Sequence, residues 1–463
     1  MLYPLSYEGE RSHTTGRFSQ FWRCDVVLVG RVRRATNYGR GVCAASLNSV
    51  LLPLSAAVRA NDVEVGGVSL TSLADQFGTP LFVYDEYTLR EHCRQAAASF
   101  DTGVAFASKS FLCGAMARLV VEEGLCVDVA TEGELDLVVR AGIDPSRIVV
   151  HGNNKSLTEL ARAIELGVHR LVVDNFDEIS RLEKLADVNR PIKCLLRVTP
   201  GVEAHTHEFV RTGQEDTKFG LSISRGDARR AIDMLRSIAG VELLGVHCHI
   251  GSQIFEVEAF DATVAILGEF LAGTQLNEVC IGGGLGVAYV QSESAPSISE
   301  WGRAVRAAAA KYLEPGTVVT AEPGRSIVAS AAVTIYRVGA IKSVPTRTYL
   351  AVDGGMSDNP RPVLYGSGYE AFALSNPLGE RDRAFRIVGK HCESGDVLID
   401  EAWLPSSVAT DDYIVTPVTG AYGYSMASNY NRVARPAVVF VADGEATLVL
   451  RRETMDDLFG LET

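Results

Sequence analysis

Short apolar runs recur from residue 104 onward at a spacing that few folds accommodate. The runs "VAFAS" 104–108, "CVDVA" 126–130, "RIVVHG" 147–152 and "RLVVD" 170–174 begin about 22 residues apart, the length of one strand, one helix and two short loops. Further runs of this kind are "LFVY" 81–84, "IKCLLRV" 192–198, "LLGVHCHI" 243–250, "EVCIGGG" 278–284 and "VVTAEPG" 318–324. The repeat predicts a (β/α)8 barrel of parallel strands, of the TIM type.

The stretches between these runs have the apolar spacing of amphipathic helices. Examples are "CGAMARLVVEEG" 113–124, "GELDLVVRAG" 133–142 and "SLTELARAIELG" 156–167. Each ends on a glycine, the residue that most readily adopts the left-handed conformation after a helix. The pattern therefore predicts a helix after each strand of the barrel.

The helical pattern fades after residue 325, and alternating β-rich runs replace it. They are "VTIYRVGAI" 333–341, "RTYLAVDGG" 347–355, "AFRIVG" 384–389, "YIVTPV" 413–418, "AVVFVA" 437–442 and "ATLVLR" 446–451. We predict a barrel domain over 76–324 and a C-terminal β-barrel or sandwich domain over 325–463. Residues 46–75 are expected to add strands to the second domain.

Composition excludes several partners. The formal net charge of −13 and the pI of 5.3 argue against nucleic acid, because a phosphate backbone requires a concentrated basic face. No apolar run reaches the roughly 18 residues of a membrane-spanning helix. The nine cysteines are scattered and include no C-x-x-C pair, so we expect no disulfides, no metal site and a cytoplasmic location.

The first 45 residues differ from the rest, with seven arginines against three acidic residues. A leader rich in arginine and poor in acids can be an organelle transit peptide, but a clear amphipathic period is missing. We favour a disordered or dispensable extension.

Polar residues follow the ends of the predicted barrel strands, where such barrels place their active sites. They are Lys109, Asp128, His151, Asp174, Arg197, His249, the run Gly282–Gly284 and Glu322. Any one of them can be an ordinary capping or surface residue, and lysine in particular is usually a solvated cation. Their occurrence on successive strands favours a shared site.

These side chains suit one cofactor. A partly desolvated lysine can form a Schiff base, and a glycine run lets backbone N–H groups approach an anion, to which a following helix would add its positive end. The carboxylate of Glu322 can keep a pyridine nitrogen protonated, and His249 can lie flat against a ring. Together they predict pyridoxal 5′-phosphate.

Cys392, in "GKHCESGDVL" 389–398, leaves several roles open. The scattered cysteines disfavour a disulfide or a metal site. A small buried apolar residue is the commoner role of a free cysteine, and the remaining chemical roles are nucleophile and proton donor.

Several motifs together resemble the fold-type III pyridoxal-phosphate decarboxylases, from about residue 65 to the C-terminus. The motifs are "FASKSFLC" 106–113, "HGNNKS" 151–156, "GVEAHTHEF" 201–209, "HCHIGSQI" 247–254, "GGGLG" 282–286, "AEPGRS" 321–326, "DGGMSDNPR" 353–361, "HCESGD" 391–396 and "GAYGYSMASNYN" 420–431. The resemblance implies a barrel with a β domain in the alanine racemase-like arrangement. It also implies a homodimer in which Cys392 reaches the cofactor lysine of the partner subunit.

The resemblance also assigns roles to residues. Lys109 would hold the cofactor covalently, His249 would stack on its ring, and Cys392 would donate a proton to the substrate carbon. The expected cofactor contacts are Lys109, Asp128, His249, Ser252, Gly282, Gly283, Gly284, Glu322, Arg325 and Tyr422. The expected substrate contacts are Arg325, Arg361, Tyr365, Glu393 and Tyr422.

Among members of the family, the motifs agree best with those that act on meso-2,6-diaminopimelate. The expected reaction is removal of the carboxylate at the D-centre, which gives CO2 and L-lysine, the last step of lysine biosynthesis. Two alternatives remain: a decarboxylase for arginine, ornithine or carboxynorspermidine, and a pyridoxal-phosphate carrier or regulatory protein without turnover. A distal carboxylate needs a cation, so Arg361 together with Glu393 disfavours the first alternative.

Overall fold

A computed structural model describes residues 51–59, 61–202 and 217–463. The extension 1–45 and most of the "GVEAHTHEF" motif lie outside these ranges, so the expectations for them stay predictions. No helix in the described ranges is both long and apolar enough to cross a membrane.

Eight parallel strands of the described residues form the predicted barrel. Their hydrogen-bonded order follows the chain from first to last. The ends of this order meet, because the amides of Ala105 and Ala107 donate to the carbonyls of Ala321 and Pro323 at 3.0 and 3.1 Å. The strands are Ala105–Ala107, Cys126–Val129, Ile148–Val150, Arg170–Val173, Ile192–Thr199, Val241–His247, Glu278–Cys280 and Val318–Thr320.

Helices alternate with the barrel strands, as predicted. They are Glu86–Ser99, Gly114–Glu122, Glu132–Arg140, Leu157–Leu166, Phe176–Leu185, Asp227–Ser237, Glu258–Leu271 and Ile298–Tyr312. Polar side chains begin several of them: Ser156 and Ser297 each accept from the backbone of a glutamate three residues later, whose carboxylate bonds back. These reciprocal bonds satisfy amides that a helix start leaves free.

A second, mixed sheet contains the strands predicted after residue 325. Its strands are Leu81–Asp85, Ala332–Val344, Arg347–Val352, Phe372–Ala373, Arg383–Val388, Val397–Leu404, Tyr413–Pro417, Ala437–Ala442 and Glu445–Leu450. The fold class, a barrel with a separate β-rich part, is thus confirmed.

Strand Leu81–Asp85 corrects the sequence analysis, which counts "LFVY" 81–84 among the barrel strands. It pairs antiparallel with Ala332–Val344 and parallel with Ala437–Ala442, both in the second sheet. All five residues of the strand are buried, so its run of apolar residues resembles that of a barrel strand. The apolar run predicts a strand that is buried on both faces, but it does not show to which sheet the strand belongs.

The strands expected before residue 75 form a sheet of their own instead of extending the larger one. Ala57–Arg59, Asp62–Val65 and Val68–Ser69 pair antiparallel, and helix Leu70–Phe77 follows them. Apolar side chains of this unit, such as Val63 and Leu70, share a buried cluster with Val83 and Val333 of the larger sheet. Packing of side chains, not backbone pairing, joins the two sheets.

The glycine run at 282–284 shows a third difference. The next helix begins only at Ile298, so no helix directly follows the glycines to supply its positive end. Other short elements of the described residues include strand Leu221–Ser222 and helices Arg325–Val328, Arg361–Tyr365 and Met455–Phe459.

Candidate active site

The alternation of side chains along the barrel strands creates a polar layer above an apolar one. One buried cluster contains Ala105, Cys126, Val149, Val172, Leu195 and Cys280, each from a different strand. Two residues further on, the same inward face carries Ala107, Asp128, His151, Asp174, Arg197 and Gly282. The polar residues predicted at strand ends therefore lie together at the C-terminal mouth of the barrel.

A cavity of 390 Å³ opens at this mouth. Most of the predicted site residues line it: Lys109, Asp128, His249, Ser252, Gly283, Gly284, Glu322, Arg325, Tyr365 and Tyr422. Gly282, Arg361, Cys392 and Glu393 do not. The cavity thus brings together residues from both the barrel and the segments that follow it.

Lys109 lies on a short turn, Ser108–Ser110, directly after the strand Ala105–Ala107. Its side chain is exposed within the cavity. The amide of Tyr422 donates to the Ser110 carbonyl at 2.9 Å. The "GAY" segment is therefore bonded to the turn that carries the lysine.

Glu322 is buried between two histidines. His151 Nε2 lies 2.8 Å from Oε1, and His247 Nε2 lies 2.8 Å from Oε2. Burial alone would raise the pKa of Glu322, but the two imidazoles hold it well below its usual range. The three groups are close enough to bind a metal ion, yet each carboxylate oxygen already has a histidine partner.

Burial and neighbouring carboxylates shift the pKa values of the two histidines in opposite directions. Burial lowers the pKa of His247 to about 4, against the opposing pull of Glu322, so this imidazole is neutral at pH 7. For His151, burial is outweighed by the carboxylates of Asp128 and Glu322, and its pKa is raised. Burial raises the pKa of Asp128 to about 6. The His151 imidazole, whose protonated form these neighbours favour, thus lies between two carboxyl groups that line the cavity.

His249 presents a neutral ring to the cavity. The amide of Gly283 donates to its Nδ1 at 3.2 Å, which requires that this nitrogen carry no proton. Burial, with Lys109 and Arg197 nearby, lowers the pKa of His249 well below its usual value. A neutral imidazole fixed by a backbone amide is suited to stacking on an aromatic ring.

The glycine run has no room for side chains. A Cβ atom on Gly282, Gly283 or Gly284 would lie 2.3–2.4 Å from a backbone carbonyl oxygen. Gly282 and Gly284 also have left-handed φ angles of 67° and 109°. These positions therefore need glycine, and its absence of a side chain leaves the backbone accessible at the mouth.

Two buried arginines, Arg325 and Arg361, both contact Tyr289. Arg325 donates to Ser252 Oγ at 2.9 Å and to Tyr289 Oη at 2.7 Å. Arg361 donates to Tyr369 Oη at 2.6 Å, and its Cζ atom lies 3.9 Å from the centroid of the Tyr289 ring. The Nε atoms of both arginines are buried without a hydrogen-bond partner among the described residues.

Cys392 and Glu393 are exposed and lie outside the cavity of their own chain. The buried-residue alternative for Cys392 is therefore wrong. The turn that carries them is well ordered by hydrogen bonds: the amide of Cys392 donates to Asn431 Oδ1 at 3.3 Å, and the amide of His391 donates to Asp396 Oδ2 at 2.9 Å.

Comparison with known proteins agrees with this geometry. A family model described as pyridoxal-dependent decarboxylase, pyridoxal binding domain, matches residues 86–329. Diaminopimelate decarboxylase of Bacillus subtilis is 46% identical over 418 residues, which cover 86% of this chain and 95% of that protein. The Mycobacterium tuberculosis (strain H37Rv) enzyme of that name is 44% identical over 420 residues, with 86% and 94% covered.

The chain belongs to the diaminopimelate decarboxylase family of pyridoxal-dependent decarboxylases. Among solved structures, diaminopimelate decarboxylase from M. jannaschii in complex with L-lysine superposes with a TM-score of 0.83 at 28% identity, covering 88% of this chain and 98% of that one. The expected alanine racemase-like arrangement and the dependence on pyridoxal phosphate are thereby confirmed.

The cavity of this family member fits the cofactor. Lys109 offers a primary amine, the glycine run offers bare backbone, and Glu322 offers a carboxylate that stays charged. Ser252 also lines the cavity and offers a hydroxyl group beside the glycines. The donor set therefore provides a partner for the aldehyde, the ring and the phosphate.

Four residues in or next to the cavity have no predicted cofactor or substrate contact. His151 and Arg197 are predicted at the mouth as strand-end residues and do line the cavity. Arg197 is buried 3.6 Å from Asp174 Oδ2 and stacks on Phe219 at 4.4 Å. Tyr289 and Tyr369, by contrast, have no local sequence signal, because they meet the arginines only through tertiary folding.

Proposed function

We propose that this chain catalyses the pyridoxal-phosphate-dependent decarboxylation of meso-2,6-diaminopimelate at its D-centre, giving L-lysine and CO2. The observation that carries the proposal is one cavity with an exposed lysine, a charged buried carboxylate and a glycine run, close to two buried arginines that share Tyr289. The identity of 44–46% to diaminopimelate decarboxylases over most of the chain supports the same substrate.

At the cofactor end, Lys109 would hold the cofactor through its amine and His249 would offer its neutral ring as a stacking face. Bound pyridoxal phosphate supplies an electron sink for the pair left when CO2 departs. Glu322 favours the protonated ring nitrogen, because a buried carboxylate stabilises a neighbouring cation. Its two oxygens accept bonds from His151 and His247 and retain lone pairs for a further donor. The remaining cofactor contacts that we propose are Asp128, Ser252, the glycines 282–284 and Tyr422.

At the substrate end, a zwitterion must be desolvated, so the site needs both cationic and anionic partners. Arg361 and Arg325 bind the distal carboxylate, and Glu393 binds the distal amine. Tyr365 lines the cavity and would complete the substrate contacts. Precursors of simple diamines, such as ornithine, have no distal carboxylate and would leave the two arginines without an anionic partner.

Cys392 donates its thiol proton to the substrate carbon after CO2 has left. Its exposure outside the cavity of its own chain supports a homodimer in which each subunit supplies Cys392 and Glu393 to the other. We also propose a cytoplasmic location, which the free state of the seven described cysteines supports.

Incubation of the purified protein with meso-2,6-diaminopimelate and pyridoxal phosphate tests the proposal, with L-lysine and CO2 as the products to detect. Arginine, ornithine and carboxynorspermidine are assayed beside it. Release of CO2 from one of these in preference to diaminopimelate would transfer the assignment to another decarboxylase. Cofactor binding without CO2 from any amino acid would indicate a carrier.

A further inference from the structure

Tyr289 lies between the two buried arginines of the site. It follows the glycine run in "GGGLGVAY" 282–289, and only 3% of its surface is exposed. Its own amide donates to Glu293 Oε2 at 2.8 Å, which fixes the backbone at this point. Tyr289 therefore has a defined position before any ligand arrives.

The side chain contacts each arginine in a different way. Its hydroxyl oxygen accepts a hydrogen bond from Arg325 Nη1 at 2.7 Å. The face of its ring lies 3.9 Å from the guanidinium carbon of Arg361, and the ring of Tyr369 meets it at 76° with centroids 5.3 Å apart. One residue thus holds Arg325 by its oxygen and Arg361 by its π face.

Two guanidinium groups in one buried region repel each other and lose hydration. An aromatic face and a phenolic oxygen compensate both charges without adding a negative charge that would compete with a ligand. Both Nε atoms stay without a partner among the described residues. A buried donor without a partner is costly, so an anion that reached these Nε atoms would stabilise both arginines.

We propose that Tyr289 is a positioning residue that sets the spacing of Arg325 and Arg361 and thereby selects ligands with a carboxylate at the end remote from the cofactor. The inference rests on the proposed function, because it concerns how that site chooses its substrate.

Two variants separate the contacts of Tyr289. Tyr289→Phe removes the oxygen that holds Arg325 but keeps the ring under Arg361, whereas Tyr289→Leu removes both. Tyr413→Phe is a matched control, since Arg337 donates to Tyr413 Oη at 2.8 Å and stacks on its ring at 5.2 Å on the surface. The control loses the same kind of contact away from the cavity.

Calorimetric binding to the holoenzyme is measured with L-lysine and with cadaverine, which lacks the carboxylate of lysine. Loss of one hydrogen bond to a charged group corresponds to about a tenfold weaker affinity, so we expect this for L-lysine with Tyr289→Phe and a larger loss with Tyr289→Leu. Cadaverine affinity is expected to change by less than about twofold in both variants. The KM for diaminopimelate rises in parallel, while kcat changes less.

Equal weakening of both ligands, or unchanged L-lysine affinity in Tyr289→Leu, would overturn the inference. A wild-type holoenzyme that makes no lysine from diaminopimelate would instead contradict the proposed function. The two outcomes can be told apart, because the wild-type assay tests the proposed function and the comparison of variants tests the role of Tyr289.

Discussion

At the scale of single residues, Glu322 shows how a buried carboxylate in the cavity stays ionised. A buried carboxylate normally takes up a proton, but hydrogen bonds to two imidazoles favour its ionised form. The pKa of His151 is raised by the carboxylates beside it, whereas burial lowers the pKa of His247 to about 4, so His247 donates a neutral N–H to Glu322. The site can therefore hold a carboxylate next to a protonated ring at neutral pH.

Substitution of Cys392 tests its role as the proton donor. Cys392→Ala is expected to lower kcat by about 100- to 10,000-fold, the usual contribution of a general acid, while cofactor absorbance stays unchanged. Steady-state kinetics and the near-visible spectrum give the two quantities. An exposed position makes misfolding an improbable cause of the loss. A decrease below about threefold would show that another group donates the proton.

At the scale of elements, the sequence predicts most strands but not all their partners. All eight barrel strands appear among the runs from 104 to 324, because continuous apolar runs and glycine stops are local signals. Strand Leu81–Asp85 has the same local signal, and only its distant partners place it in the second sheet. Likewise, Lys109 and Glu322 stand at strand ends, whereas Tyr289 and Tyr369 join the site through tertiary contacts.

The segment between strand Arg347–Val352 and helix Arg361–Tyr365 contains a buried acid. Asp358 accepts from Tyr336 Oη at 2.6 Å and from the amide of Gly355 at 2.7 Å. Burial outweighs these bonds and raises the pKa of Asp358 from 3.8 to about 7. The segment leads directly into Arg361, so its stability bears on the substrate site.

This raised pKa predicts a pH-dependent stability. The folded state keeps a proton on Asp358 that the unfolded state releases above pH 3.8. The contribution of this group to the free energy of unfolding is therefore fully present below about pH 4 and is lost as the pH rises through about 7. Relative to Asp358→Asn, the free energy of unfolding of the wild type should fall by at most about 1.4 kcal/mol per pH unit in that window.

Urea denaturation at pH 5 and pH 8 measures this difference, with the exposed Asp443→Asn as the control. Between pH 5 and pH 8, the free energy of unfolding of the wild type should fall relative to that of Asp358→Asn. The difference between the wild type and Asp443→Asn should not change with pH in this way. An unchanged difference between the wild type and Asp358→Asn would mean that Asp358 is ionised throughout.

At the scale of the whole molecule, the chain is organised so that neither subunit of the proposed dimer has a complete site. Lys109 lines the cavity, whereas Cys392 and Glu393 are exposed elsewhere on the same chain. Exposed Val363 and Leu364 lie on the helix that Arg361 begins, so apolar surface is available near the substrate arginine. Burial of these side chains by a second copy would accompany completion of the site.

A mixing experiment tests the shared sites. Lys109→Ala and Cys392→Ala dimers each lack one required group in both sites and should be nearly inactive. After subunit exchange at equal amounts, half of the dimers are mixed, and each mixed dimer has one intact site, so about a quarter of wild-type activity should return. No recovery, with subunit exchange verified by mass, would place both groups in the same chain.

Removal of residues 1–45 tests the extension. The truncated protein is expected to retain the kcat and KM of the full chain, because about 86% of this chain accounts for 94–95% of the length of its relatives. The test is to measure kcat and KM for both proteins in the same assay, with the melting temperature of each as a control for folding. Loss of folding or activity would show that the extension is required.

The position of Leu81–Asp85 in the second sheet affects the order of folding during synthesis. Leu81 is hydrogen-bonded in register with Ile335 and Ala437, which leave the ribosome more than 200 residues later. Until then the strand is an unpaired apolar edge, a kind of segment that is prone to aggregate or to recruit chaperones. The barrel, complete by residue 324, can form first, and the long delay predicts slow closure of the sheet.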